Sequence, residues 1–185
     1  MKNTLKTIKE SKCDFGNDYL NEIHKTLQKK AFEINPDYKE TKNIVNRYRQ
    51  NKIIAKKENY LGSQYTSARL LSQNKFSFKY GKVEVRAKLP VGIGTWPAAW
   101  MLGANINTVN WPNCGEIDIM EHKGSDVNRI YGTLHYPGNF GGNAVGGTKV
   151  ITGANTEFHV YACEWTALSI KFYIDGALFF TFANN

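Results

Sequence analysis

Within the stretch WPNCGEIDIMEHKG, three acids, Glu116, Asp118 and Glu121, alternate with aliphatic residues over six positions. The β-branched content and the alternation predict a strand with one face buried. Glu116 and Asp118 share a face, because strand side chains repeat every second residue. Glu121 breaks the count: a regular strand would turn it toward the core with Ile117 and Ile119, where an unpaired carboxylate costs several kcal/mol. A β-bulge near Met120 removes the conflict by absorbing one residue. Three carboxylates then line one strip, repelling one another and raising each other's pKa. Such crowding opposes stability but suits double-carboxylate chemistry. A retaining glycosidase sets two carboxyl groups ~5–5.5 Å apart, one as nucleophile and one as a protonated acid. The plainer alternative, a solvated strand face with scattered acids, suits any one of them alone. It does not suit three acids and a bulge between aliphatics, flanked by Trp111 and Gly115.

The elements that must position this strip are read from the same alternation. Val83, Val85, Ala87 and Leu89 alternate with charged residues as a half-buried antiparallel strand, ended by Pro90, Gly92 and Gly94. Trp96, Ala98 and Trp100 share a face, and residues 105–112 read as a loop. A strand over 130–136 and a glycine-rich loop over 138–147 follow. Trp165 is expected in the core. Residues 169–182 read as a hairpin around Asp175-Gly176, a strong turn signal. Many short strands with regular turns predict a β-sandwich.

GEIDIME resembles the ExDxxE signature of family 16 glycoside hydrolases, in the bulged form of the laminarinase-like β-1,3-glucanases. Its neighbours resemble the family in the family's order: YTSARL (65–70), YGKVEVRAKLP (80–90), GTWPAAWMLG (94–103), GTLHYPG (132–138), FHVYACEW (158–165) and IKFYIDG (170–176). The resemblance covers about 52–185. It implies an all-β, concanavalin-like jelly-roll sandwich with a glycan cleft on its concave sheet. It also implies retaining hydrolysis of internal bonds in a β-1,3-glucan, by an endo-β-1,3-glucanase or β-1,3-1,4-glucanase. Glu116 would be the nucleophile and Glu121 the acid/base, an order the chemistry alone leaves open. Asp118 would hydrogen-bond Glu116 and set the ionisation of the pair, and a raised pKa on Glu121 would keep it protonated near neutrality. Trp96, Trp100 and Trp111 match cleft tryptophans and Arg69 a cleft arginine. His135 matches a site histidine expected to orient substrate or Glu121. The alternatives are a non-catalytic β-glucan-binding protein or an inactive fragment; retention of the acid pair argues against a pure binder.

Length and charge bound the rest. A chain of 185 residues is long enough for one sizeable core. Residues 1–58 hold 14 basic against 8 acidic residues, so most of the net charge of +8 belongs to that segment and not to the acidic strip. No basic-aromatic module for nucleic acid is present, and no run approaches the ~18 apolar residues of a membrane span. The GxSxG, HExxH and phosphate-loop patterns are missing. Cys13, Cys114 and Cys163 form neither a metal motif nor a disulfide framework, and Cys114 and Cys163 read as small apolar fillers. No cofactor and no required metal are expected, and the partner is the polysaccharide, met by a monomer. Residues 1–51 form an atypical basic segment, with helices expected over 18–34 and 35–50, joined to a partial catalytic domain over 52–185. The start lacks the apolar core of a secretory signal, although family members are usually extracellular. The family pattern would continue beyond Asn185, so the sandwich is expected to be incomplete, poorly soluble and weakly active.

Overall fold

A computed structural model describes residues 52–183 and divides the chain into two units, Met1–Leu71 and Ser72–Asn185. The helices expected over 18–34 and 35–50 lie outside the described residues. In the first unit, β1 (Lys56–Tyr60) and β2 (Ser63–Thr66) form an antiparallel hairpin. Its two-residue turn, Leu61-Gly62, has positive φ at both positions, the backbone that matches strand twist. The Thr66 hydroxyl bonds Glu58 across the pair.

Period-two alternation builds the second unit. Its strands are β3 (Gly81–Ala87), β4 (Ala98–Leu102), β5 (Glu116–His122), β6 (Arg129–His135), β7 (Val145–Val150), β8 (His159–Trp165), β9 (Ser169–Ile174) and β10 (Ala177–Ala183). They pair antiparallel in two four-stranded sheets, ordered β10-β9-β8-β3 and β4-β5-β6-β7. The sheets stack as a sandwich. Ile119, Met120, Ile130 and Leu134 of one sheet pack with Tyr161, Cys163, Phe172 and Ile174 of the other. Each of the Ile, Leu, Met and Phe side chains among them contributes roughly 1.5–3 kcal/mol by leaving water.

Glycines set how closely the sheets approach. A Cβ on Gly132 would lie 2.7 Å from the Phe172 ring, and one on Gly147 would lie 2.7 Å from Phe180 Cβ. A Cβ on Gly146 would meet the Gly132 carbonyl at 2.4 Å. This corrects the loop expected over 138–147. Only its first part is irregular, with a 3-10 turn at Gly141–Asn143, and Gly146 and Gly147 are strand residues of β7. They are small because neighbouring backbone and an aromatic ring occupy the space, not because the chain turns there. The 105–112 loop likewise contains one helical turn, α1 (Ile106–Val109).

The Asp175-Gly176 hairpin forms as expected, with φ of 50° and 80° at its two turn residues. Asp175 also ties the turn to β8: its carboxylate accepts the Val160 N–H at 2.8 Å and lies 2.7 Å from His159 Nδ1. Trp165 departs from expectation. It is only half-buried, and it packs edge-on against Tyr80 and Phe78 at ring-centroid distances of 5.2 and 6.4 Å. It ends β8 opposite Gly81.

Candidate active site

The bulge stands where the desolvation argument puts it. On β6, Asp118 pairs with Thr133 and Glu121 with Tyr131, so three steps along β5 match two along its neighbour. On β4, Trp100 pairs with Asp118 and Ala99 with Met120. Ile119 and Met120 are consequently both buried, at 2% and 3% exposure, and Glu121 returns to the face of Glu116 and Asp118. That face is completed from both sides by the same alternation: Trp96, Ala98 and Trp100 on the β4 side, and Tyr131, Thr133 and His135 from β6.

Each carboxyl has a different setting. Glu121 is held by two donors, the Trp96 indole N–H to Oε1 at 3.0 Å and the Thr133 hydroxyl to Oε2 at 2.8 Å. Asp118 is 3% exposed and lies between two other acids. Burial, the neighbouring charges of Glu121 and Glu116, and a hydrogen bond with Glu116 together push its pKa up to about 9. It is therefore neutral at pH 7 and donates its proton toward Glu116.

His135 stands opposite Glu116 and approaches Asp118, with Nε2 3.2 Å from Oδ2. The approach is not a hydrogen bond, because Oδ2 has no aligned donor. The Gly141 N–H donates to His135 Nδ1 at 3.2 Å, so in the neutral ring the proton is on Nε2, facing Asp118. Of the two roles expected for His135, orienting substrate or orienting Glu121, the register disfavours the second, since it puts His135 four positions along β6 from Tyr131, Glu121's cross-strand partner. Glu116, Asp118 and His135 each present an atom within 4.8 Å of the others, close enough to surround a small cation. A neutral Asp118 bonded to Glu116 relieves the same crowding with a proton.

Of the other expected residues, Trp96 is 65% exposed beside Glu121, and half-buried Trp100 sits across from Asp118. Trp111 packs against His135 and Phe140, at 5.7 and 5.4 Å between ring centroids. Arg69 is exposed and belongs to the first unit. Thr133 and Gly141 were not singled out from sequence. Thr133 lies two residues before His135 in GTLHY, so strand periodicity carried a signal for it. Gly141 carried none, because its role is a backbone N–H.

Comparison with known proteins identifies the family. The description of glycosyl hydrolases family 16 matches residues 29–185, beginning upstream of the motifs noted in the sequence. A beta-glucanase of Rhodothermus marinus is 45% identical over 136 residues, covering 71% of this chain and 48% of the relative. The laminarinase catalytic domain of Thermotoga maritima superposes with a TM-score of 0.68 at 45% identity, covering 71% of this chain and 55% of that one. A beta-1,3-glucan-binding protein of Penaeus monodon is 42% identical over 124 residues, 61% of this chain and 34% of its own length. The chain thus spans about half the length of the beta-glucanase and of the laminarinase domain. With the family match covering most of the sequence and the bulged acid strip formed on a β-sandwich, the chain belongs to glycoside hydrolase family 16.

Proposed function

We propose that this protein cleaves internal β-1,3 bonds of a glucan with retention of configuration, using Glu116 as nucleophile and Glu121 as acid and then base. The observation that carries the reading is the unequal treatment of three acids on one bulged strand. Asp118 keeps a proton and gives it to Glu116 as a hydrogen bond, which holds Glu116 for attack on the anomeric carbon. Glu121 is tethered through both oxygens. An indole N–H can only donate, so Oε1 offers it a lone pair, which leaves Oε2 as the oxygen to hold the proton in the acid step. The Thr133 hydroxyl facing Oε2 accepts as readily as it donates, so it tolerates both protonation states of Glu121 during the two steps.

Departure of the aglycone takes the proton from Oε2 while Glu116 forms the glycosyl ester. Water, deprotonated by Glu121, then releases the sugar with a second inversion, restoring the β-anomer. The exposed Trp96 face, with Trp100 and Trp111 along the strip, suits the flat C–H faces of a glucan. The names of the beta-glucanase and laminarinase relatives support this substrate class. A second reading, glucan binding without hydrolysis, is favoured by the likeness to the beta-1,3-glucan-binding protein. NMR of the first anomer released from laminarin decides between them. A β-product abolished by Glu116→Gln is expected; an initial α-product or glucan binding without turnover refutes the proposal.

A further inference from the structure

Lys123 lies just past β5, and the proposed mechanism does not use it. The pairing of β4 with β5 continues beyond the named strands: the His122 N–H donates to Pro97 O at 3.1 Å and the Gly124 N–H to Thr95 O at 2.9 Å. Lys123 is thereby set opposite Trp96 and, by alternation, on the face of Glu121. The backbone there has no slack. A Cβ on Gly124 would stand 2.1 Å from both the Gly92 carbonyl and Thr95 Oγ1, so the loop leading to Trp96 is closed down on Gly124.

The Lys123 ammonium lies 5.8 Å from the Trp96 ring centroid and 5.0 Å from that of Tyr131. Both distances are within the range of cation–π attraction. Tyr131 is the cross-strand partner of Glu121, and Trp96 donates to Glu121. The lysine therefore bridges the two aromatic rings on either side of the acid. Trp96 needs such a bridge. With 65% of its surface exposed it has little packing to select one rotamer, yet its N–H must stay on Oε1.

We propose that Lys123 is a positioning residue for Glu121: by bridging Trp96 and Tyr131, it keeps the Trp96 indole N–H on the Glu121 carboxyl. This rests on Glu121 being the acid/base, but the contact itself can be tested without turnover. Cation–π attraction at exposed sites corresponds to a roughly two- to five-fold bias in population.

The test uses the full ¹⁵N-labelled chain and the indole N–H signals of its tryptophans, with that of Trp96 assigned by its loss in Trp96→Phe. Glu121→Gln should move the Trp96 signal. Lys123→Met, which keeps the aliphatic stem, should move it part of the way in the same direction, and Lys123→Arg should restore it. An unmoved signal in Lys123→Met, no restoration by arginine, or an unmoved signal in Glu121→Gln overturns the inference. If laminarin is hydrolysed, Lys123→Met should lower kcat by roughly two- to five-fold at unchanged KM. A loss confined to KM would make Lys123 a substrate contact and overturn the positioning role. A chain that hydrolyses no glucan would refute the proposed function while the indole signals still decide this contact.

Discussion

Replacing Asp118 by Asn should stabilise the protein, and the gain should grow with pH. Asp118 has an ordinary value of 3.8 when unfolded and is pushed up to about 9 by burial and by its two acidic neighbours. A carboxyl whose folded pKa lies above its unfolded one favours folding fully only below 3.8, where both states hold the proton. As pH rises from there toward 9, the unfolded chain ionises and the folded one does not, so stability falls by ~1.4 kcal/mol per pH unit. At pH 7 the accumulated cost is about 4 kcal/mol, a large part of a typical total of ~5–15 kcal/mol. Asparagine carries no such titration, and its amide N–H can still donate to Glu116. Urea unfolding of both proteins at several pH values between 4 and 8.5, with m checked for constancy, should give a small gap at pH 4 that widens to about 4 kcal/mol at pH 7. A gap that stays flat across this range would mean that Asp118 does not hold a proton near neutrality.

Two further outcomes follow from packing and charge. Gly132→Ala should cost roughly 1–3 kcal/mol by overpacking against Phe172 and lower Tm by several degrees, without changing the acid strip; an unchanged Tm would show that the sheets have room to part. Asp175 has its carboxyl held below the usual range: burial pushes it up, but the hydrogen bonds from His159 and the Val160 N–H, with the charge on His159, outweigh that. Its contribution is present above the ordinary value of 3.8 and lost as pH falls through the lower folded value, so the stability difference between wild type and Asp175→Asn should shrink below about pH 4. A difference that persists in acid would contradict the assignment.

Much of the site was legible because its logic is local. Alternation put Glu116 and Asp118 together, and the cost of burying Glu121 required a bulge near Met120; both are settled within one strand. The Asp175-Gly176 turn is local in the same way. Partners across strands were less legible, because register is decided by neighbours distant in sequence. That is why strand alternation alone does not reveal that Thr133 donates to Glu121 or that His135, expected to orient substrate or Glu121, stands against Asp118. Gly146 and Gly147 were read as loop for a related reason: local propensity sees a flexible residue, whereas the fold uses the missing side chain to let backbone and Phe180 approach. Trp165 reads as core in the sequence, but at the end of β8 it is only half-buried. The location of the proton was least accessible. Sequence alone determined that three acids would crowd one face of a strand in a β-sandwich. Only the tertiary structure decided that Asp118 carries the charge penalty, because pKa depends on how much water each carboxyl loses and which charges surround it in three dimensions.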